Sequence, residues 1–299
     1  MSDPNTNLPS GVVGTLEQVA GLGVRRWADP SADQPVVLAL HGLTSTSAVW
    51  ADLATRLPGV PILAPDLPGR GFSLDTPAAP GLPGLAEAVM GVVEALGLRR
   101  VLVVGHSMGA FLAPLVVDQL GDRVIATVLA DGGVAPEPSR LLQPLVVRAL
   151  FTVQLRRVVR HWSDVARYTA VAEGGAAANR PDLHPGFRAW SEAVLQPDGD
   201  GWRPRLDKRR LVADAVDSLT RPPHLGKLTT SAGPVHLIAA AQGADDGKPA
   251  FLSDTAIATG RGVVPRLTSE RVQANHATML FDPAIAAAVQ ALLRGVSPG

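Results

Sequence analysis

The feature of this chain that most restricts its fold is a repeated pattern, a short unbroken apolar run that stops at small or polar residues. Val36–Leu40 stops at His41-Gly42 and Ile62-Leu63-Ala64 at Pro65-Asp66. Val101-Leu102-Val103-Val104 stops at Gly105-His106-Ser107, and Val124–Ala130, interrupted only by Thr127, at Asp131-Gly132-Gly133. Short runs without polar alternation suit strands covered on both faces. Helix-forming stretches lie between them, over about 47–57, 84–96 and 108–120. Strands alternating with longer helices specify βαβ units, hence an α/β fold with a mostly parallel, doubly wound sheet. Residues 11–29 add two short strands around a glycine turn, and residues 1–10 read as a disordered tail. The rhythm stops over 134–225, where helices over 139–172 and 186–196 and a loop over 197–205 are expected. It resumes with a strand at Val235–Ala241, a helix at about 249–260, a strand at about 269–274 and a helix at 283–294.

In open α/β sheets ligands bind beyond the carboxyl ends of the strands. The polar residues that end each run therefore gather on one edge. Gly105-His106-Ser107-Met108-Gly109 matches G-x-S-x-G and lies between a strand and a helix, the setting of a nucleophile elbow. The sharp turn presents the Ser107 hydroxyl, and the amide of Met108, at the helix N-terminus, can face a developing oxyanion. A serine hydroxyl needs a base. His276 follows the last expected strand and stands third in the chain order Ser…Asp/Glu…His. His106 adjoins the serine, and the elbow is expected to direct it away from the cleft. The base in turn needs a carboxylate to hold its tautomer. Asp246, in Gln242-Gly243-Ala244-Asp245-Asp246-Gly247, is the first choice, and Asp245 and Asp131 are the alternatives.

Composition narrows the function classes. Lys+Arg and Asp+Glu number 27 each, so no global field attracts nucleic acid or an anionic membrane surface. The chain has no cysteine, which removes disulfides, thiolate nucleophiles and Cys-ligated metal sites. Nothing in the pattern asks for a metal or a cofactor. The first ten residues, MSDPNTNLPS, do not form a signal peptide. No apolar run reaches the roughly 18 residues of a membrane span. A soluble, cytoplasmic protein acting on a small molecule is expected.

Taken together, these motifs resemble the α/β-hydrolase superfamily, in its lid-bearing esterase, C–C hydrolase and haloperoxidase-like branch. His41-Gly42-Leu43 followed by Trp50 resembles the oxyanion-loop strand end of that family, and Asp66-Leu67-Pro68-Gly69-Arg70-Gly71-Phe72-Ser73 its D-x-x-G-x-G-x-S segment. Gly105–Gly109 resembles its elbow, Gly243–Asp246 its acid loop and His276 its base. The resemblance implies Ser107 as nucleophile, His276 as base, Asp246 as orienter, and the amides of Leu43 and Met108 as the oxyanion hole. It implies a hydrolase core over 1–133 and 226–299 with a helical cap over 134–225, inserted after the sixth strand. Trp162, Trp190 and Trp202 are then candidates for lining the substrate pocket. Arg156, Arg157 and Arg160 read as a solvated helix face, with an anionic-substrate clamp as the alternative.

Serine at the elbow speaks against dehalogenase and epoxide hydrolase chemistry, which needs a carboxylate nucleophile. Leu43-Thr44-Ser45 lacks the Gly/Pro pair of the C–C hydrolases. The implied activity is cleavage of a carboxylic ester through an acyl-enzyme. Open alternatives are the same triad acting on a thioester, amide, C–C bond or cyanohydrin, and a non-catalytic ligand receptor on the same fold.

Overall fold

A computed structural model describes residues 14–31, 34–135, 143–173, 180–220 and 224–296. The tail expected over 1–10 lies outside them. In chain order come β1 (Thr15–Val19), β2 (Leu22–Trp27), β3 (Val36–Leu40), α1 (Ala51–Arg56), β4 (Ile62–Pro65), α2 (Leu82–Ala95), β5 (Val101–His106), α3 (Met108–Leu120) and β6 (Val124–Ala130). The segment that follows adds no strand to the main sheet among its described residues; it holds α4 (Pro144–Val158), α5 (Val165–Glu173), α6 (His184–Val194), a hairpin of β7 (Leu195–Asp198) and β8 (Gly201–Pro204), and α7 (Lys208–Thr220). The chain then returns through β9 (Val235–Ala240), α8 (Asp254–Val263), β10 (Leu267–Val272) and α9 (Pro283–Val296).

Eight of these strands form one sheet in the order β1-β2-β4-β3-β5-β6-β9-β10. The pairs from β4 to β10 are parallel, and β2 joins β4 antiparallel. The apolar runs are continuous because alternate residues serve two different layers. Val36, Leu38 and Leu40 of β3 and Val101 and Val103 of β5 pack under α2, α3 and α8. Val37 and Ala39, with Leu102 and Val104, pack on the other face under α1 and α9. Each such Val or Leu side chain taken fully out of water contributes about 1.5–3 kcal/mol.

Two local expectations change. Residues 197–205, expected as a loop, include most of the β7–β8 hairpin, and Trp162 and Trp202 exchange backbone hydrogen bonds of 2.8 Å beside it. The helical stretch expected over 139–172 splits into α4 and α5, because the chain leaves the helix to make that bridge. No described helix is long and apolar enough to cross a membrane.

Candidate active site

The elbow forms where β5 turns directly into α3. Ser107 holds φ 53° and ψ −120°, a conformation that L-residues with side chains avoid unless their surroundings enforce it. The flanking glycines explain how the turn closes. A Cβ on Gly105 would stand 2.3 Å from the Gly109 carbonyl oxygen, and one on Gly109 would stand 2.1 Å from that of Leu40. Only hydrogen fits at either position. The Ser107 N–H donates to Ala130 O at 2.9 Å, which ties the elbow to the end of β6. Met108 opens α3, so its N–H belongs to the first turn, whose amides have no acceptor within the helix.

The hydroxyl of Ser107 lies 2.9 Å from Nε2 of His276. The other ring nitrogen, Nδ1, lies 2.6 Å from Oδ2 of Asp131. A carboxylate accepts only, so Nδ1 carries the proton and Nε2 is left to accept from the serine. Hydroxyl, imidazole and carboxylate thus stand in the line that general-base activation of a serine requires.

The sequence made Asp246 the first choice for the third position, with Asp245 and Asp131 as alternatives; the His276 ring lies against Asp131. Strand β6 lies between β5 and β9, with Ala130 paired to His106 on one side and to Ile238 on the other. The residue after Ala130 therefore emerges beside the elbow. Asp131 is fully buried, with φ 45°, and its other oxygen accepts from the Ala240 N–H at 3.1 Å. Asp246 instead accepts from Nδ2 of Asn275 at 2.8 Å. The Asn275 Oδ1 accepts in turn from the N–H groups of Ala277 and Thr278, at 3.1 and 2.9 Å. Asp246 thus braces the loop that carries His276, one residue removed from the ring. The backbone carbonyl of Asp245 accepts from the Lys248 N–H at 3.2 Å. A local signal for Asp131 was present: Asp131-Gly132-Gly133 ends β6, and a Cβ on Gly132 would come within 2.5 Å of Ser107 O. Only a chain built to press against the elbow needs that.

His106 also departs from expectation. It does not point away. Its Nε2–H donates to the carbonyl of His276 at 2.9 Å, and the two rings lie 4.8 Å apart between centroids. Burial holds His106 down to a pKa of about 3, with the neighbouring His276 adding to the effect. His41 is likewise held to about 3 by burial. Its Nδ1–H donates to Gly42 O at 2.8 Å and its Nε2 accepts from the Leu67 N–H at 2.9 Å. Both rings are neutral struts that set the loop positions around Ser107.

Ser107 and His276 open onto a cavity of about 530 Å³, within the usual range for small-molecule sites. Leu43 and Met108 are among the lining residues. The segment between β6 and β9 contributes Phe151 and Val158 of α4, Phe187 and Trp190 of α6, and Leu219 of α7 to its lining. Of the three tryptophans proposed as lining, Trp190 reaches the cavity. Trp162 and Trp202 do not. Trp162 is buried among Leu155, Tyr168 and Leu211, and Trp202 packs against the same group. The backbone bridge between them turns both rings into the insertion's own core. Arg156, Arg157 and Arg160 are exposed, whereas the cavity face of α4 carries Phe151, Gln154, Leu155 and Val158. Arg156 and Arg157 lie on the exposed face of α4, while Arg160 lies past its end with the guanidinium over the Trp162 ring, 4.2 Å from the centroid. Among the described residues, no Lys, Arg, Asp or Glu lines the cavity, and no cluster of three His, Asp or Glu could hold a metal ion.

The alpha/beta hydrolase family model matches residues 36–289, and the chain belongs to that family. Lipase LipV of Mycobacterium tuberculosis (strain ATCC 25618 / H37Rv) is 40% identical over 106 residues, 35% of this chain and 40% of that protein. A 2-succinyl-6-hydroxy-2,4-cyclohexadiene-1-carboxylate synthase of Serratia proteamaculans (strain 568) is 30% identical over 102 residues, 34% of this chain and 40% of the relative. The chain thus spans two fifths of the length of each of these relatives. Among solved structures, an E-2-(acetamidomethylene)succinate hydrolase superposes with a TM-score of 0.77 at 22% identity, covering 94% of this chain and 99% of the other. That likeness is one of fold.

Proposed function

We propose that this protein is a serine hydrolase that cleaves a neutral, largely apolar carboxylic ester through an acyl-enzyme. The observation that carries the reading is the hydrogen-bonded line from Ser107 through His276 to Asp131 at the mouth of one cavity. Ser107 Oγ attacks the acyl carbon while its proton passes to Nε2 of His276. The oxygen of the tetrahedral intermediate faces the N–H groups of Leu43 and Met108. His276 then hands the proton to the departing alcohol. Water enters, gives a proton to His276 and releases the carboxylic acid, restoring Ser107. Asp131 holds the Nδ1 proton and stabilises the transient imidazolium.

The substrate class follows from the lining. Phe151, Val158, Phe187 and Trp190 offer apolar contact, and Thr44 and Gln154 offer neutral hydrogen-bonding groups. A substrate carboxylate would enter with no cationic partner among the described lining residues, and a desolvated, unpaired charge is strongly disfavoured. We read residues 134–225 as a cap over a core of 1–133 and 226–299. In that reading the core does the chemistry and the cap selects the acyl or alcohol group.

The test combines a serine-directed fluorophosphonate, a panel of neutral esters of graded acyl length, and a matched ester bearing a carboxylate. Ser107→Ala should lose labelling and on the order of 10⁴-fold or more in kcat. Retention of over a tenth of wild-type turnover by Ser107→Ala rejects the nucleophile. Preference for the carboxylate-bearing ester rejects the substrate class.

A further inference from the structure

We infer that Arg70 is a positioning residue for the oxyanion hole and that it ties the hole to helix α7 of the insertion; the inference rests on the serine-hydrolase reading above. The Arg70 side chain is fully buried, as is Asp214 of α7. Its Nε donates to the Leu43 carbonyl at 3.0 Å. Nη1 donates to Pro68 O at 2.8 Å and to Asp214 Oδ2 at 2.5 Å. Nη2 lies 3.4 Å from the Met108 sulfur. One guanidinium therefore touches both residues whose amides are read as the oxyanion hole, and a third residue that belongs to the insertion.

The geometry around Leu43 explains why this matters. The peptide that carries the Leu43 N–H has its carbonyl on Gly42, and that oxygen accepts from His41 Nδ1–H at 2.8 Å and from the Ser45 N–H at 3.3 Å. In a trans peptide the N–H points opposite to the C=O, so these bonds aim the N–H. Arg70 holds the next carbonyl along. Both peptides that flank the Leu43 Cα are thus clamped, one by a neutral imidazole and one by the guanidinium. The clamp is itself anchored. The Arg70 N–H donates to Leu67 O at 3.0 Å and the Gly71 N–H to Arg205 O at 2.9 Å. The Asp66 carboxylate accepts from the N–H groups of Ser47 and Phe72, at 2.7 and 2.8 Å. The second oxygen of Asp214 accepts from the Gly81 N–H at 2.8 Å.

A fully buried ion pair is a weak source of stability compared with apolar residues of the same size. Positioning explains this one better. Arg presents donors in a rigid planar fork, which lysine cannot reproduce. A shift of about 1 Å in a reacting group can cost about 100-fold in rate, and loss of one oxyanion donor costs about 10²–10³-fold. A displacement of α7 by substrate would pass through Asp214 to Arg70 and so to the Leu43 peptide.

The experiment uses the full chain with three variants: Arg70→Lys, Asp214→Asn, and the double variant Arg70→Met/Asp214→Asn. The double variant removes both charges and keeps an acceptor for Gly81, so that at least one folded form is available. Circular dichroism and thermal melting establish folding. kcat and KM on a neutral p-nitrophenyl ester are read together with the pH profile and the affinity for a trifluoromethyl ketone, which forms an oxyanion on Ser107. Arg70→Lys and the double variant should lose about 10–100-fold in kcat. KM and the acid limb of the kcat/KM profile should stay in place, and ketone affinity should fall with kcat. A merely structural role would lower the melting temperature without that parallel. Folded variants with wild-type kcat, or a kcat loss with unchanged ketone affinity, overturn the inference while leaving Ser107 as nucleophile. Failure of the wild type to be labelled at Ser107 removes both.

Discussion

The ends of β6 and β9 each carry an aspartate, and they are put to different uses. Asp131 leaves a central strand, is fully buried and lies 2.6 Å from the His276 ring. Asp246 leaves the neighbouring strand through a longer loop, whose Gly243 N–H donates to Lys248 O at 3.0 Å and whose Gly243 O accepts from the His276 N–H at 2.8 Å. That loop fixes the histidine's backbone and the β6 end fixes its ring. The lesson is that a charged residue at a strand end acquires its role from the depth and register of the strand. Asp131 has no freedom: its backbone is at positive φ, its N–H donates to Ile238 O at 2.8 Å, and both carboxylate oxygens are taken. Asp246 works at one remove, through Asn275.

The sharpest way to break this comparison is to neutralise the two aspartates in turn. Asp131→Asn should drop kcat by about 10⁴-fold, because the amide leaves the histidine in the wrong tautomer. Steady-state kinetics on a neutral ester checks it. If Asp246→Asn proves the crippling change, the roles assigned to the two strand ends are reversed.

A second effect tests the buried surroundings of the β3 and β5 ends. His41 and His106 are held to a pKa of about 3 in the folded chain, against 6.5 for a free histidine. The unfolded chain therefore binds more protons between those values. Stability is fully present above about pH 6.5 and is lost as pH falls toward 3, by up to about 1.4 kcal/mol per pH unit for each histidine. Urea melts from pH 7 to pH 4 should show this slope. Replacing His106 with Gln should reduce it, and an unchanged slope in that variant would mean the ring is not buried and neutral as described.

Trp190→Ala should shift relative kcat/KM between short and long acyl esters by about 1–3 kcal/mol. Trp162→Ala should instead lower stability, by about 3–5 kcal/mol if the site collapses little, without changing chain-length preference. A preference shift in the Trp162 variant alone would reverse the assignment of the two rings.

Asp246→Asn carries the smallest expected effect. The amide oxygen can still accept from Asn275, so what is lost is the ionic part of that hydrogen bond and the attraction to Arg180, about 1 kcal/mol. A melting curve and a kcat within about tenfold of wild type are the expected readings.

Much of the architecture is legible along the chain. The runs Val36–Leu40 and Val101–Val104 are apolar at every position and Val124–Ala130 at all but Thr127, which makes them strands, and the sheet is covered on both faces to match. The elbow is equally local, since Gly105 and Gly109 make the turn possible wherever it lies. Ser107 and His276 could be singled out for the same reason: each sits at the end of a recognisable element. The choice of acid was legible only as a hint, the two glycines that follow Asp131. Both Asp131 and Asp246 fall between Ser107 and His276 in the chain, so sequence order permits either.

What decided that choice is lateral. The order β5-β6-β9 and the pairing of His106, Ala130 and Ile238 bring Asp131 alongside the elbow. Strand order is set by which apolar faces pack together across the whole sheet, and no window of sequence contains it. The same holds for Arg70 and Asp214, whose buried contact joins residues 144 positions apart. The sequence by itself determined the elements and the chemical groups at their ends; the tertiary structure alone decided which of those groups meet, because a hydrogen bond depends on distances of a few ångströms that only the packed sheet defines.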